Sequence, residues 1–218
     1  MTAGTAGMRA DARRNRQRLL AAALAAFTEH GADDASLDEI ARRAGVGNAT
    51  LYRRFPTRCD LVAAVFLGAM QEIVDAAGRA LAERDPWTAL TGHLTFLCEL
   101  QAANRAIADL LTTAVCGMPE LERLRAAALD ALTELIDRAK AHGDLREDFG
   151  HEDVVLILMA NAGLIERTAA AAPGAARRHL GYVLDGLRAP ARAPAAPPPG
   201  EGQVIEAMRA LGRRHGCA

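Results

Sequence analysis

Apolar side chains recur at three- and four-residue intervals along most of the chain, the spacing of helices with one buried stripe. Leu20, Ala23, Leu24 and Phe27 place such a stripe on a helix from about Arg13 to His30, and Gly31 is positioned to stop it. Ser36-Leu-Asp-Glu39 has capping-box spacing: the Ser oxygen accepts from the free N–H of Glu39, and the Glu39 carboxylate reaches back. The helix it opens is short, with Leu37, Ile40, Ala41 and Ala44 inward. Gly45 ends it, because only glycine takes the left-handed conformation there without penalty, and Val46 fills the corner. A further helix begins near Gly47 or Asn48, turns Leu51 and Phe55 inward, and cannot pass Pro56. Thr57 with Asp60 caps a long helix to about Glu83.

Only helical patterns follow. Pro86 suits a first turn ahead of Trp87, Leu90, Leu94 and Leu97. Asn104–Val115 is a short segment, and Pro119 opens a longer one with Leu121, Leu124, Leu132, Leu135 and Ile136 inward. Within the segment from Glu152 to about Ala172, Val154–Ile165 is apolar on all sides, so it must be buried on several faces. Ala175–Leu187 follows. Five of the nine prolines then fall between Pro190 and Pro199, an extended linker by composition. Gln203–Arg214 is a last amphipathic helix on Val204, Ile205, Met208 and Leu211. No strand-like alternation occurs, and the expected class is all-α.

Composition agrees. Of the 218 residues 49 are Ala, the strongest intrinsic helix former, and 24% are charged, which excludes a wholly disordered chain. Net charge is −1 but unevenly placed: residues 1–60 hold 10 Arg against 7 acidic residues, and the remainder carries −4. Arg9, Arg13, Arg14, Arg16 and Arg18 face only Asp11. A basic segment ahead of a near-neutral body points to a polyanionic partner. It reads either as an arm entering a minor groove or as the solvated start of the first helix. The four cysteines are widely spaced and form no C-x-x-C pair, so neither zinc nor thioredoxin-type chemistry is signalled. No apolar run reaches the ~18 residues of a membrane span. A cytoplasmic, nucleoid-associated protein without membrane contact, cofactor or metal is expected.

The Ser36–Phe55 segment is a helix-turn-helix candidate. Once its apolar positions are spent on packing, the second helix displays Asn48, Ala49, Thr50, Tyr52, Arg53 and Arg54. Asn pairs with adenine edges, Arg with guanine, and Ala or Thr methyls touch the thymine methyl. Tyr52, Arg54 and Arg58 suit phosphates, and Ser36 can donate to one at its helix start. Leu37-Asp-Glu-Ile-Ala-Arg-Arg-Ala-Gly-Val-Gly-Asn-Ala-Thr-Leu-Tyr-Arg-Arg-Phe55, followed by Pro-Thr-Arg-Cys-Asp-Leu61, resembles the DNA-binding domain of the TetR family of bacterial transcriptional regulators over about Arg13–Phe66. Two positions depart from the family pattern: Gly47 stands where Ser or Thr is frequent, and Arg54 where His or an aromatic is frequent.

The resemblance implies a homodimer with three DNA-binding helices and a C-terminal helical domain that dimerises and holds a small molecule. It places the family's phosphate-contacting Tyr on Tyr52 and its basic residue on Arg58. The implied organisation is a disordered basic arm (1–12), a helix-turn-helix domain (13–56), a ligand-binding and dimerisation domain (57–188), a Pro-rich linker (189–202) and a C-terminal helix (203–218). Met70, Val74, Trp87, Phe96, Leu100, Leu111, Met118 and Met159 are apolar pocket candidates. His93, Cys98, Asn104 and Asn161 are the polar ones. Val155, Leu158, Ala162 and Gly163, with Leu180, Val183, Leu184 and Leu187, are candidates for a two-fold interface. The expected function is a repressor released from an inverted-repeat operator in double-stranded DNA by a small apolar or amphipathic effector. A helical enzyme and a DNA-binding protein without an effector are the alternatives. No nucleophile–base pair or metal spacing supports the former.

Overall fold

The structure is a computed structural model. It describes residues 3–30, 34–104, 107–108, 111, 119–190, 196–197 and 199–214, with side chains for all of these except 3–10, 12–13, 201 and 211–214. Its helices are α1 (Ala3–His30), α2 (Leu37–Ala44), α3 (Asn48–Arg54), α4 (Arg58–Leu81), α5 (Pro86–Ala103), α6 (Pro119–His142), α7 (His151–Thr168), α8 (Ala175–Gly186) and α9 (Glu201–Arg214). Among the described residues, pairing of strand type is confined to one isolated antiparallel bridge, Leu145 to Arg188.

The chain divides into two compact units, Met1–Gly68 and Ala69–Ala218. The division falls inside α4 rather than at the expected Pro56–Thr57 break, because Leu61–Phe66 are all buried and belong with the first unit. Residues 3–12, expected as a disordered arm, continue α1, where Ala and Arg favour helix and no proline interrupts it. The five Arg therefore lie on a helix; Arg14 pairs with Asp11, and Arg16 and Arg18 are exposed.

In the first unit the α1 stripe is rotated by one position from the expected one. Leu19, Ala23, Ala26 and Phe27 are buried, whereas Leu20 and Leu24 are half-buried. Each large side chain so buried contributes about 1.5–3 kcal/mol. Ile40, Ala41 and Ala44 face inward from α2, and Leu51 and Phe55 from α3; Leu37 and Val46 are half-buried. Gly45 closes α2 at φ 64°, ψ 38°, with its N–H on Arg42 O at 3.1 Å and that of Val46 on Ala41 O at 3.0 Å. The Ser36 box is half formed. Ser36 Oγ accepts from Glu39 N at 3.4 Å, but the Glu39 carboxylate accepts from Arg43 Nε at 2.8 Å and pairs with Arg42 at 3.2 Å. Arg43 also donates from both terminal nitrogens to the Glu29 carboxylate, at 2.8 and 2.6 Å, joining α1 to α2. These bonds hold the Glu29 and Glu39 carboxyls below their ordinary range. The Thr57–Asp60 cap forms as expected: Asp60 N donates to Thr57 Oγ1 at 3.1 Å and Thr57 N to Asp60 Oδ2 at 3.0 Å.

In the second unit α5 packs against α6, α7 and α8. Asp85 caps α5 through Thr88 N at 2.9 Å, with Pro86 in the first turn. Leu90, Leu94 and Leu97 of α5, Leu132, Leu135 and Ile136 of α6, and Val154 and Leu158 of α7 fill the core. Leu124 is half-buried. Two buried amides join α5 to α7. Asn161 Nδ2 donates to Gln101 Oε1 at 2.8 Å and to Cys98 O at 3.3 Å, and Gln101 Nε2 donates to Leu158 O at 3.2 Å. Of α7, expected to be buried on several sides, Val154, Leu158 and Asn161 are buried within the chain and Leu156 is 42% exposed. By length and composition α4 is apolar enough to span a membrane, contrary to the expectation for this chain, yet most of it is buried in the protein. Of the short segment expected at Asn104–Val115, Ile107, Ala108 and Leu111 are helical and the rest, apart from Asn104, lies outside the described residues. Past the prolines, α9 rests on α7.

Candidate nucleic-acid interface and ligand cavity

Helix α3 has one inward side. Leu51 is fully buried and Phe55, four residues on, nearly so. At 100° per residue Ala49 and Arg53 lie on the opposite side, Tyr52 on the flank, and Asn48, three residues before Leu51, beside the packed edge. All four are exposed, as is Arg54, while Thr50 is half-buried. Tyr52 is 46% exposed although it is a large aromatic. An aromatic left out of a small core with a free hydroxyl is placed for a partner rather than for packing.

Two of the expected contact residues already have work within the unit. Asn48 Nδ2 donates to Asp38 Oδ1 at 2.7 Å, tying α3 to the start of α2. Asn48 keeps its second N–H and its Oδ1 for a partner, while the bond to Asp38 fixes the plane of its amide, a restraint the sequence did not signal. Arg58 Nη1 donates to Ala35 O at 2.8 Å and is half-buried. That bond draws the first turn of α4 to the residue next to Ser36. The two phosphate candidates, Ser36 and Arg58, are thereby gathered at one place, beside the open N–H groups of α2. Ser36 is exposed, and its hydroxyl hydrogen stays available because only its oxygen is used in the cap.

The second unit contains a cavity of about 240 Å³. Met70 and Ile73 of α4, Leu97 of α5, Leu132 of α6, and Val154, Val155 and Leu158 of α7 line it, and Val204, Ile205 and Met208 of α9 complete the wall. Of the expected pocket residues Met70, His93 and Leu111 line it. Val74, Trp87, Phe96, Leu100 and Met159 do not, and Met118 lies outside the described residues. Trp87 instead lies under the Arg188 guanidinium, 4.1 Å from the ring centre, and Phe96 stacks behind His93 at 6.2 Å. Asn161, a polar candidate, is spent on Gln101 and Cys98. Cys98 is buried, and burial pushes its thiol up to about 11.

His93 differs from the other buried polar groups. It is 3% exposed, and its Nδ1 has no hydrogen-bond partner among the described residues. Burial pushes its pKa down to about 4, so the ring is neutral at neutral pH. An unpaired buried nitrogen costs about 1–3 kcal/mol. The remaining polar wall groups, Arg125, His151 and Glu152, are all partly exposed.

The expected interface residues separate into two groups. Leu158, Leu180 and Leu187 are buried within the single chain, so these three are not displayed to a partner, and Val155 is half-buried beside the cavity. The reason is that α8 packs on α5 and α7 through its Leu180 side. Ala162, Gly163, Val183 and Leu184 stay half-exposed. Leu156 on α7 and Tyr182 on α8, the latter 62% exposed with Arg178 over its ring, form outer apolar surface that periodicity did not single out.

Comparison with known proteins agrees with both units. Residues 19–65 match the family model of bacterial regulatory proteins, tetR family. Residues 85–189 match that of the SbtR-like transcriptional regulator C-terminal domain. The HTH-type transcriptional regulator AqdR of Rhodococcus erythropolis is 31% identical over 158 residues, 70% of this chain and 75% of its own. The TetR regulator SCO0520 of Streptomyces coelicolor is 36% identical, with a TM-score of 0.57 over 81% of this chain and 99% of its own. A TetR regulator of Mycobacterium vanbaalenii is 34% identical, with a TM-score of 0.54 over 83% of this chain and 99% of its own. The α2–α3 pair with its outward Tyr52 and the apolar cavity of the helical C-terminal unit thus belong to a transcriptional regulator rather than an enzyme, and the chain is a member of the TetR family.

Proposed function

We propose that this chain is a cytoplasmic, nucleoid-associated repressor. In this reading a homodimer holds an inverted-repeat operator in double-stranded DNA and leaves it when a small apolar or amphipathic effector enters the cavity. The observation that carries the DNA half is that Asn48, Ala49, Tyr52, Arg53 and Arg54 of α3 are all exposed while Leu51 and Phe55 are buried. Tyr52, Arg54, Arg58 and Ser36 hold phosphates and fix the orientation; Asn48, Ala49, Thr50 and Arg53 read base edges. The first unit carries the positive charge of the chain, residues 1–60 holding +3, which favours approach to a duplex.

Effector control is supported by the mostly apolar cavity and by α4, which contributes Arg58 at its start and Met70 and Ile73 to the cavity wall. An effector acts only through its differential affinity for two conformations, and α4 is the element that both sites bias. The partner surface is the outer side of α7 and α8, with Leu156, Ala162, Gly163, Tyr182, Val183 and Leu184. A two-fold pair presents two α3 helices to successive major-groove faces.

Fluorescence polarisation with duplexes from the region upstream of the gene tests this directly. A dimer binding an inverted repeat, with affinity falling as salt rises and lost in Tyr52→Ala without loss of helicity, is expected. Failure to bind any such duplex at low ionic strength refutes the reading.

A further inference from the structure

We infer that α9 is a lid on the cavity, and that an apolar ligand enters and leaves when this helix lifts from α7. The inference concerns access to the cavity, and it rests on the effector reading above only for what entry does to DNA.

The position of α9 is the first observation. Met70, Ile73 and Leu97, on the α4 and α5 side of the cavity, are buried, whereas Leu129 of α6 and Ile205 of α9 border it and are 41% and 37% exposed. The cavity therefore faces solvent on its α6–α9 side. Val204, Ile205 and Met208 occupy neighbouring places on one face of α9, and all three border the cavity. A ligand inside gains contact with that face, so it holds the helix down and slows its own escape.

The hold on α9 is the second. Helix α5 buries seven of its side chains. Among the described side chains of α9 only Val204 is buried, with Met208 and Ala210 half-buried. Lifting α9 returns little apolar area to water, and an element so held opens locally at a far smaller cost than the core helices.

The connection is the third. The backbone of the second unit is tied down as far as Ala189, whose N–H donates to Asp144 O at 2.8 Å, and the match to the C-terminal domain model ends at the same residue. Five of the ten positions from 190 to 199 are proline and bring no N–H. At the far end of that stretch Gly200 N donates to Gln203 Oε1 at 3.0 Å, which fixes the first turn of α9. The helix can thus lift as a unit without breaking the matched domain.

The test is stopped-flow fluorescence of the apolar dye N-phenyl-1-naphthylamine, mixed in excess with the full chain without DNA. If entry waits on the lid, the observed rate levels off with rising dye at the opening rate of α9. Val204→Ser weakens the one buried anchor and should raise that plateau about tenfold, as the burial of one such side chain is worth. Removal of residues 200–218 should abolish the plateau, leaving a rate linear in dye. Bound dye should also slow hydrogen exchange of the α9 amides in the full chain several-fold. A linear rate in the full chain overturns the proposal, and that measurement needs no variant to fold. A plateau that neither change moves places the gate elsewhere and overturns it too, as does unchanged α9 exchange with dye bound or a failure of both chains to take up dye. The regulator reading fails separately: if dye entry behaves as expected but no duplex is bound, the DNA role is lost while the lid stands.

Discussion

Replacing His93 by Leu should change how the protein responds to acid. The folded-state pKa is lowered from 6.5 to about 4 because burial penalises the imidazolium. The unfolded chain therefore binds the proton first. Stability is unaffected well above pH 6.5, falls as the pH drops below that value, and the loss is complete below about 4. With those two values the linkage relation gives a loss of about 2 kcal/mol between pH 7 and pH 5, and about 3 kcal/mol by pH 4. Carboxylates contribute to the same slope, so the informative quantity is the difference between wild type and His93→Leu, which share them. Trp87 is the only tryptophan and lies in α5, so its fluorescence follows the second unit during urea unfolding at fixed protein concentration. The expected result is a variant whose unfolding free energy falls about 2 kcal/mol less than that of wild type from pH 7 to pH 5. Parallel pH dependences would refute the claim that His93 is buried neutral in an apolar wall.

Further outcomes follow from other contacts. Asn161→Leu strands the Gln101 side chain and should lower stability by about 1–3 kcal/mol by urea unfolding, with Gln101→Leu in the same chain recovering part of the loss. Arg58→Ala should weaken every duplex alike, reduce the salt slope by about one, and also loosen the first unit, since its bond to Ala35 O goes. Arg53→Ala, by contrast, should relax sequence preference in a binding-site selection with the melting temperature unchanged. Removal of residues 200–218 takes Val204, Ile205 and Met208 out of the cavity wall, so an apolar fluorescent dye bound there should dissociate faster in stopped-flow measurements while duplex binding persists.

Much of the molecule was legible from local rules. The Gly45 turn, the Thr57–Asp60 start, Pro86 in the first turn of α5, and the inward Leu51 and Phe55 each depend on residues within a few positions of one another, where capping and periodicity operate. The outward set on α3 followed, because what packing does not consume is displayed. The pocket was less legible. Of the eleven expected residues that are described, three line the cavity, because an apolar side chain that fills a core and one that borders a void have the same composition and spacing.

The amino-acid order alone determined most of the helices, several of their caps and which residues of α3 are exposed, since these are set by interactions within one or two turns. Only tertiary structure decided which amides satisfy each other and which nitrogen is left open. Gln101 meets Asn161 across α5 and α7, while His93, on the same helix as Gln101, meets nothing that accepts or donates to Nδ1 among the described residues. It also decided that α9 rests on α7 and supplies part of the cavity wall, and that Leu158 turns into the chain's own interior. Those outcomes depend on which distant side chains arrive within about 4 Å of one another, and periodicity carries no information about that.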